Sequence, residues 1–188
     1  DLAHKIHGPK GVGFTYIKKN TKISPLIHGG GQEYNLRSGT ENVAGIAGFG
    51  KACEIQKDDY VEKYIKLANK KTYLEEKITK KIPDVKINSH HKGASHILNV
   101  SFLGVKGEIL LHSLEMDDIL VSTGSACSSK KRESRVLKNL ELPKEYRESA
   151  IRFSLSDDIE YDDLDFVVEK LKEKIEQIRQ ISNYKIRG

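Results

Sequence analysis

Gly8-Pro9, Ser24-Pro25 and the run Gly29-Gly30-Gly31 punctuate residues 1–40 so densely that little regular structure fits between them. The one element expected there is a short strand over 12–18, where Val12, Phe14 and Tyr16 alternate with Gly13 and Thr15 before Ile17. Such a stretch has too little apolar periodicity to build its own core, so it must lean on a scaffold supplied by other parts of the protein. From Asn42 to Ile82 the pattern turns helical, with Tyr60, Tyr64, Leu67, Leu74 and Ile78 recurring at three-, four- or seven-residue steps. Two helical pieces are expected, broken near Asp58-Asp59, and Pro83 ends the second.

A mixed unit follows. Strands are expected over 97–102, 119–122 and 151–155, and helices over 107–116 and 135–140. The last element, 161–182, sets Leu164, Val167, Val168, Leu171, Ile175, Ile178 and Ile181 on one face, with Asp162, Asp163 and Asp165 at the end where the helix dipole favours acids. The fold class implied is α/β, a small sheet covered by a long amphipathic helix. Two parts are expected, 1–45 and 46–188.

Composition narrows the partners. The net charge of +5 comes from 32 basic residues interspersed with 27 acidic ones, which reads as a solvated lysine-rich surface and not a nucleic-acid footprint. No run approaches the ~18 apolar residues of a membrane span. Two cysteines far apart give no disulfide framework and point to a reducing, cytoplasmic setting.

Those two cysteines differ in kind. Cys53 lies among Ala44, Ile46, Ala47, Phe49, Ala52 and Ile55 and reads as a small buried hydrophobe. Cys127 stands in Ser122-Thr123-Gly124-Ser125-Ala126-Cys127-Ser128-Ser129, followed by Lys130, Lys131 and Arg132. Small neighbours leave a thiol accessible and nearby cations favour thiolate, the nucleophilic form, so Cys127 is the candidate reactive sulfur. A second informative segment is Ala3-His4-Lys5-Ile6-His7-Gly8-Pro9-Lys10-Gly11-Val12-Gly13. A lysine held in a tight Gly/Pro-framed turn can attack carbonyls as an amine. Spacing alone leaves Lys5 and Lys10 as rivals for that role, and His4 and His7 open to a structural reading.

The His-Lys-Ile-His-Gly-Pro-Lys-Gly turn, His28-Gly29-Gly30-Gly31-Gln32-Glu33 with Arg37-Ser38-Gly39-Thr40, the Ser122–Ser129 segment and Ile151-Arg152-Phe153-Ser154 together resemble the cysteine desulfurases of the nitrogen-fixation and iron–sulfur-cluster type, in matching order and spacing. The resemblance implies the end of the large domain and most of the small domain of a fold-type I pyridoxal-phosphate enzyme. It implies pyridoxal 5'-phosphate tethered to Lys5 and not Lys10, His4 beside the cofactor phosphate, and Thr40 reaching the phosphate bound to a partner subunit, hence a homodimer. Arg152 is similar to the arginine that clamps the substrate carboxylate. The activity implied is removal of sulfur from L-cysteine to give L-alanine and a Cys127 persulfide, passed to a sulfur-acceptor or iron–sulfur scaffold protein. Cys127 would touch metal only transiently, were a cluster shared with that scaffold. A mobile loop of roughly a dozen residues after Thr123 suits a cysteine that must reach both cofactor and acceptor.

Two departures stand out. Leu2 occupies the place where the family has a serine that contributes to the phosphate cup, and leucine has no hydroxyl to offer. The first half of the family pattern, with the aspartate that pairs with the pyridine nitrogen, is also absent, so the sequence is expected to be a C-terminal part that binds cofactor weakly when isolated. The alternative functions are a non-catalytic module presenting the Cys127 loop, a selenocysteine lyase, or an aminotransferase. The last is disfavoured because transamination needs no such thiol.

Overall fold

The computed structural model describes residues 3–124 and 135–186. The chain forms two compact units, Asp1–Tyr60 and Val61–Gly188, whose boundary falls within one helix.

The first unit has a small core of Ala3, Val12 and Phe49, with Ile6 packed against it. Phe14 stacks on Phe49 with ring centroids 5.9 Å apart. The strand expected over 12–18 is not formed, because an extended segment becomes a strand only when a neighbour completes its ladder, and all three described strands belong to the second unit. Tyr16 accordingly stays 81% exposed. Short 3-10 helices at Ala3–Ile6 and Glu33–Asn35 replace regular elements. Glu33, Tyr34 and Asn35 have φ of 49°, 56° and 63°, a left-handed turn in three consecutive non-glycine residues.

Helix α1 spans Val43–Lys81 without interruption, which corrects the expected break at Asp58-Asp59. Aspartate costs only a fraction of a kcal/mol in a helix interior, and no glycine or proline stands there to stop it. The apolar stripe is not buried along its whole length. Leu74 and Ile78 are core, Leu67 is half-buried, and Tyr60 and Tyr64 are exposed. Cys53 is exposed too, contrary to its expected burial, because this part of α1 buries only the narrow line of Gly45, Phe49 and Ala52.

In the second unit, strands β1 (Val85–Ile87), β2 (Ile97–Phe102) and β3 (Ala150–Ser154) form an antiparallel sheet in the order β1-β2-β3. Alternation along β2 sends Leu98, Val100 and Phe102 into a core shared with Leu74, Ile78 and Ile82 of the α1 end, Leu110 and Leu114 of α2 (Gly107–Glu115), and Leu164, Val168, Leu171 and Ile175 of α5 (Tyr161–Ile181). Its other face carries Asn99 and the fully buried Ser101. Asn88 Nδ2 donates to Asn99 Oδ1 at 2.8 Å and to Ser101 Oγ at 2.7 Å, and Ser101 Oγ donates to the Tyr146 carbonyl at 2.7 Å. A slip of one residue in β2 would bring these polar groups into the apolar core, so the register is strongly held.

Helix α3 (Arg135–Asn139) lies within the expected span. Strand β1 and helix α4 (Lys144–Glu148) were not expected, being only 3 and 5 residues long. The strand expected over 119–122 reduces to a single bridge between Ser122 and Arg152. At the end of α5, Ile181 is 84% exposed and drops out of the buried face. The start of α5 is fixed by a reciprocal cap between Glu160 and Asp163.

Candidate active site

The turn that carries Lys5 is held by its backbone. The Gly8 amide donates to the Ala3 carbonyl at 2.8 Å, the His7 amide donates to the His4 carbonyl at 3.3 Å, and His7 takes a left-handed φ of 64° to close the curve. A Cβ on Gly8 would sit 3.0 Å from the Ala3 carbonyl oxygen, so glycine is what lets the chain return so closely. Ala3 is fully buried and anchors one end, and Pro9 packs against Gly48 of α1. With both ends fixed, His4 and Lys5 share one turn and both side chains are exposed. The Lys5 amine has no hydrogen-bond or ion-pair partner among the described residues.

Thr40, also exposed, follows a loop that its own hydrogen bonds hold closed. Ser38, 8% exposed, donates from Oγ to the Gly30 carbonyl at 2.7 Å and from its amide to the Ile27 carbonyl at 3.2 Å. The Gly39 amide donates to Gln32 Oε1 at 3.2 Å, and Gly39 itself has a φ of 115°. Gly30, Ser38 and Gly39 thus shape the loop before Thr40.

Arg152 belongs to the second unit, in β3 opposite Asn99 of β2. It is half-buried, and its Nε is fully shielded from solvent without an acceptor. An unpaired buried donor of this kind costs roughly 1–3 kcal/mol. Nη2 donates to Ser122 Oγ at 3.3 Å, while the backbones of the two residues exchange hydrogen bonds of 2.7 and 3.1 Å. Among the described residues no carboxylate pairs with Arg152. A planar guanidinium in this condition suits a carboxylate, which can accept two parallel bonds. Sequence reasoning gave Ser122 no role, because its pairing joins residues 30 positions apart. Cys127 lies outside the described residues, as does the rest of 125–134.

A cleft of about 370 Å³ lies elsewhere in the second unit, lined by residues that include Ile119, Val121, Phe153, Leu155 and Leu164. Arg152 does not line it, since alternation along β3 turns Phe153 to the opposite face. Asp117 at its edge forms an ion pair with Lys174 at 2.9 Å, and this cation, with Lys170 nearby, holds the carboxyl below its ordinary range. Among the described residues no cluster of three or more histidine, cysteine or acidic side chains could hold a metal.

Comparison with known proteins places these groups in a family context. The chain is 44% identical over 185 residues to the cysteine desulfurase IscS of Dictyoglomus turgidum, covering 97% of this chain and 47% of that protein. It is 36% identical over 184 residues to a cysteine desulfurase of Klebsiella pneumoniae, covering 97% and 46%. A solved NifS-like protein superposes with a TM-score of 0.79 at 34% identity, over 93% of this chain and 45% of that one. The chain therefore spans about half the length of the curated relatives it matches. The α/β class expected from sequence agrees with these neighbours. The family model for aminotransferase class-V matches residues 2–167, and the chain belongs to that family.

Proposed function

We propose that this chain is the C-terminal part of a pyridoxal-phosphate-dependent cysteine desulfurase that converts L-cysteine to L-alanine and leaves a persulfide on Cys127. The observation that carries the reading is the turn at Ala3–Ile6, which keeps the Lys5 amine exposed on a backbone closed by hydrogen bonds and anchored by a buried alanine.

The donor set fits the cofactor. An exposed amine suits its aldehyde, and the imidazole of His4 and the hydroxyl of Thr40 suit its phosphate. Bound there, pyridoxal phosphate would supply an electron sink for charge developing on the substrate carbon. Lys5 would tether it and, once released, carry protons at the substrate α carbon. Arg152 would hold the substrate carboxylate through the terminal Nη donors that Ser122 does not take. The Cys127 thiolate would attack the substrate sulfur. The substrate Cβ–S bond breaks, an S–S bond forms on Cys127, and the Cβ left behind takes up a proton, so that L-cysteine and a thiol become L-alanine and a persulfide.

Thr40 would serve the phosphate of a second subunit, making the working protein a homodimer. The persulfide would pass to a sulfur-acceptor or iron–sulfur scaffold protein in the cytoplasm. The test uses the full-length protein loaded with cofactor and given L-cysteine. Stoichiometric alanine and a Cys127 peptide one sulfur atom heavier are expected, the added sulfur being lost in Cys127→Ser. Alanine without sulfur on Cys127, or transamination in place of sulfur release, overturns the reading.

A further inference from the structure

We infer that Ser122 is a positioning residue for substrate recognition, holding the Arg152 guanidinium in the orientation in which its free donors meet the substrate carboxylate; this rests on the carboxylate role proposed for Arg152. An arginine side chain has several rotatable bonds, and fixing it in one pose costs up to about 2 kcal/mol of rotamer freedom. That cost is best met before the ligand arrives. Ser122 meets it in an unusual way, because the residue that accepts from Nη2 is the same residue whose amide and carbonyl bond to the Arg152 backbone, at 3.1 and 2.7 Å. Main chain and side chain are thus clasped at one point, and the hydroxyl cannot drift relative to the strand that carries the arginine.

The surroundings leave Ser122 as the described group that does this. Asn99, opposite Arg152 in the ladder, already accepts from Asn88 Nδ2 at 2.8 Å through its own carbonyl oxygen. No described carboxylate pairs with the guanidinium, so among the described residues the hydroxyl of Ser122 is what orients it. Of the five N–H donors of arginine, Ser122 takes one and Nε remains buried and unpartnered. A hydroxyl fixes the plane of the fork without neutralising it, which an aspartate in the same place would do.

The test uses the full-length holoenzyme. In Ser122→Ala the KM for L-cysteine is expected to rise about three- to tenfold, the range of one hydrogen bond, with kcat changed by less than about twofold. Ser122→Thr, which keeps the hydroxyl, is expected to restore KM. Binding without turnover is read by titrating L-alanine and L-alaninamide, which differ only in the carboxylate. Ser122→Ala should weaken L-alanine by the same factor and leave L-alaninamide unchanged, and should add nothing to Arg152→Ala. Equal weakening of both ligands, or no effect on L-alanine while Arg152→Ala weakens it, overturns the role of Ser122 and leaves that of Arg152 standing. L-alanine binding unaffected in Arg152→Ala overturns the carboxylate role itself.

Discussion

Arg179 donates from Nε to the backbone carbonyl of Leu103 at 2.9 Å, although it is 5% exposed and sits on the core side of α5. Its Nη2 donates to the Pro83 carbonyl at 3.0 Å, and the Tyr184 ring covers the guanidinium with 5.3 Å between them. One side chain therefore satisfies carbonyls at the end of α1 and at the end of β2. Arg179→Ala is expected to cost about 2 kcal/mol, because the carbonyl of the buried Leu103 loses its donor. Urea unfolding checks it, and a loss below about 1 kcal/mol would mean that water replaces the guanidinium.

Stability should fall on the acid side through named carboxylates. Asp165 accepts from Lys77 at 2.8 Å and from Tyr73 at 3.0 Å, and the lysine bond is the main reason its carboxyl lies below the ordinary 3.8. Since the folded value is depressed, this contribution is complete above pH 3.8 and is lost as pH falls through the folded value. Asp165→Asn is expected to lower the urea midpoint at neutral pH and to approach the parent protein as pH falls through the depressed folded value. Parallel curves for the two proteins across that range would remove Asp165 from the acid limb.

Two glycines of α1 give opposite expectations for the same substitution. Helix propensity favours alanine over glycine by about 1 kcal/mol at either site. A Cβ at Gly50 meets nothing within 4 Å, whereas one at Gly48 would lie 2.6 Å from Pro9 Cγ. Gly50→Ala should raise the melting temperature, while Gly48→Ala should lower it by displacing Pro9 from its place beside the Lys5 turn. Thermal unfolding followed by circular dichroism reads both.

Cys53 should react in the native chain. Its exposure on α1 predicts labelling by iodoacetamide without denaturant in the 188-residue Cys127→Ser protein. Protection that vanishes only in urea would place the thiol in a buried setting.

How much of this could be read in the sequence depended on how far each signal reached along the chain. Strand β2 and helices α2 and α5 were legible because their periodicity runs for 6 to 21 residues and their partners come from the same unit. The strand expected over 12–18 failed since alternation describes a strand's faces and not whether another strand lies beside it. Lys70 and Lys71 illustrate a second limit. Both are 6% exposed, and their amines donate to the carbonyls of Asp157 at 2.8 Å and Ala94 at 3.0 Å, although lysine-rich stretches ordinarily read as surface. Of the proposed site residues, Lys5, His4, Thr40 and Arg152 were legible as residue types in a recognisable order, whereas the bond from Arg152 to Ser122 needed the fold. No local pattern marks a serine whose partner is 30 positions away.

The shortness of β1 has a consequence for how the protein behaves in concentrated solution. Among the described strands it forms one outer edge of the sheet, and it is only 3 residues long with Lys86 exposed at its centre. A long flat apolar edge would offer its unpaired amides and carbonyls to any neighbouring chain, whereas three residues bearing a central cation give a passing strand little to zip onto. Lengthening β1 with apolar residues, or replacing Lys86 by valine, would turn that guarded margin into a seed for aggregation.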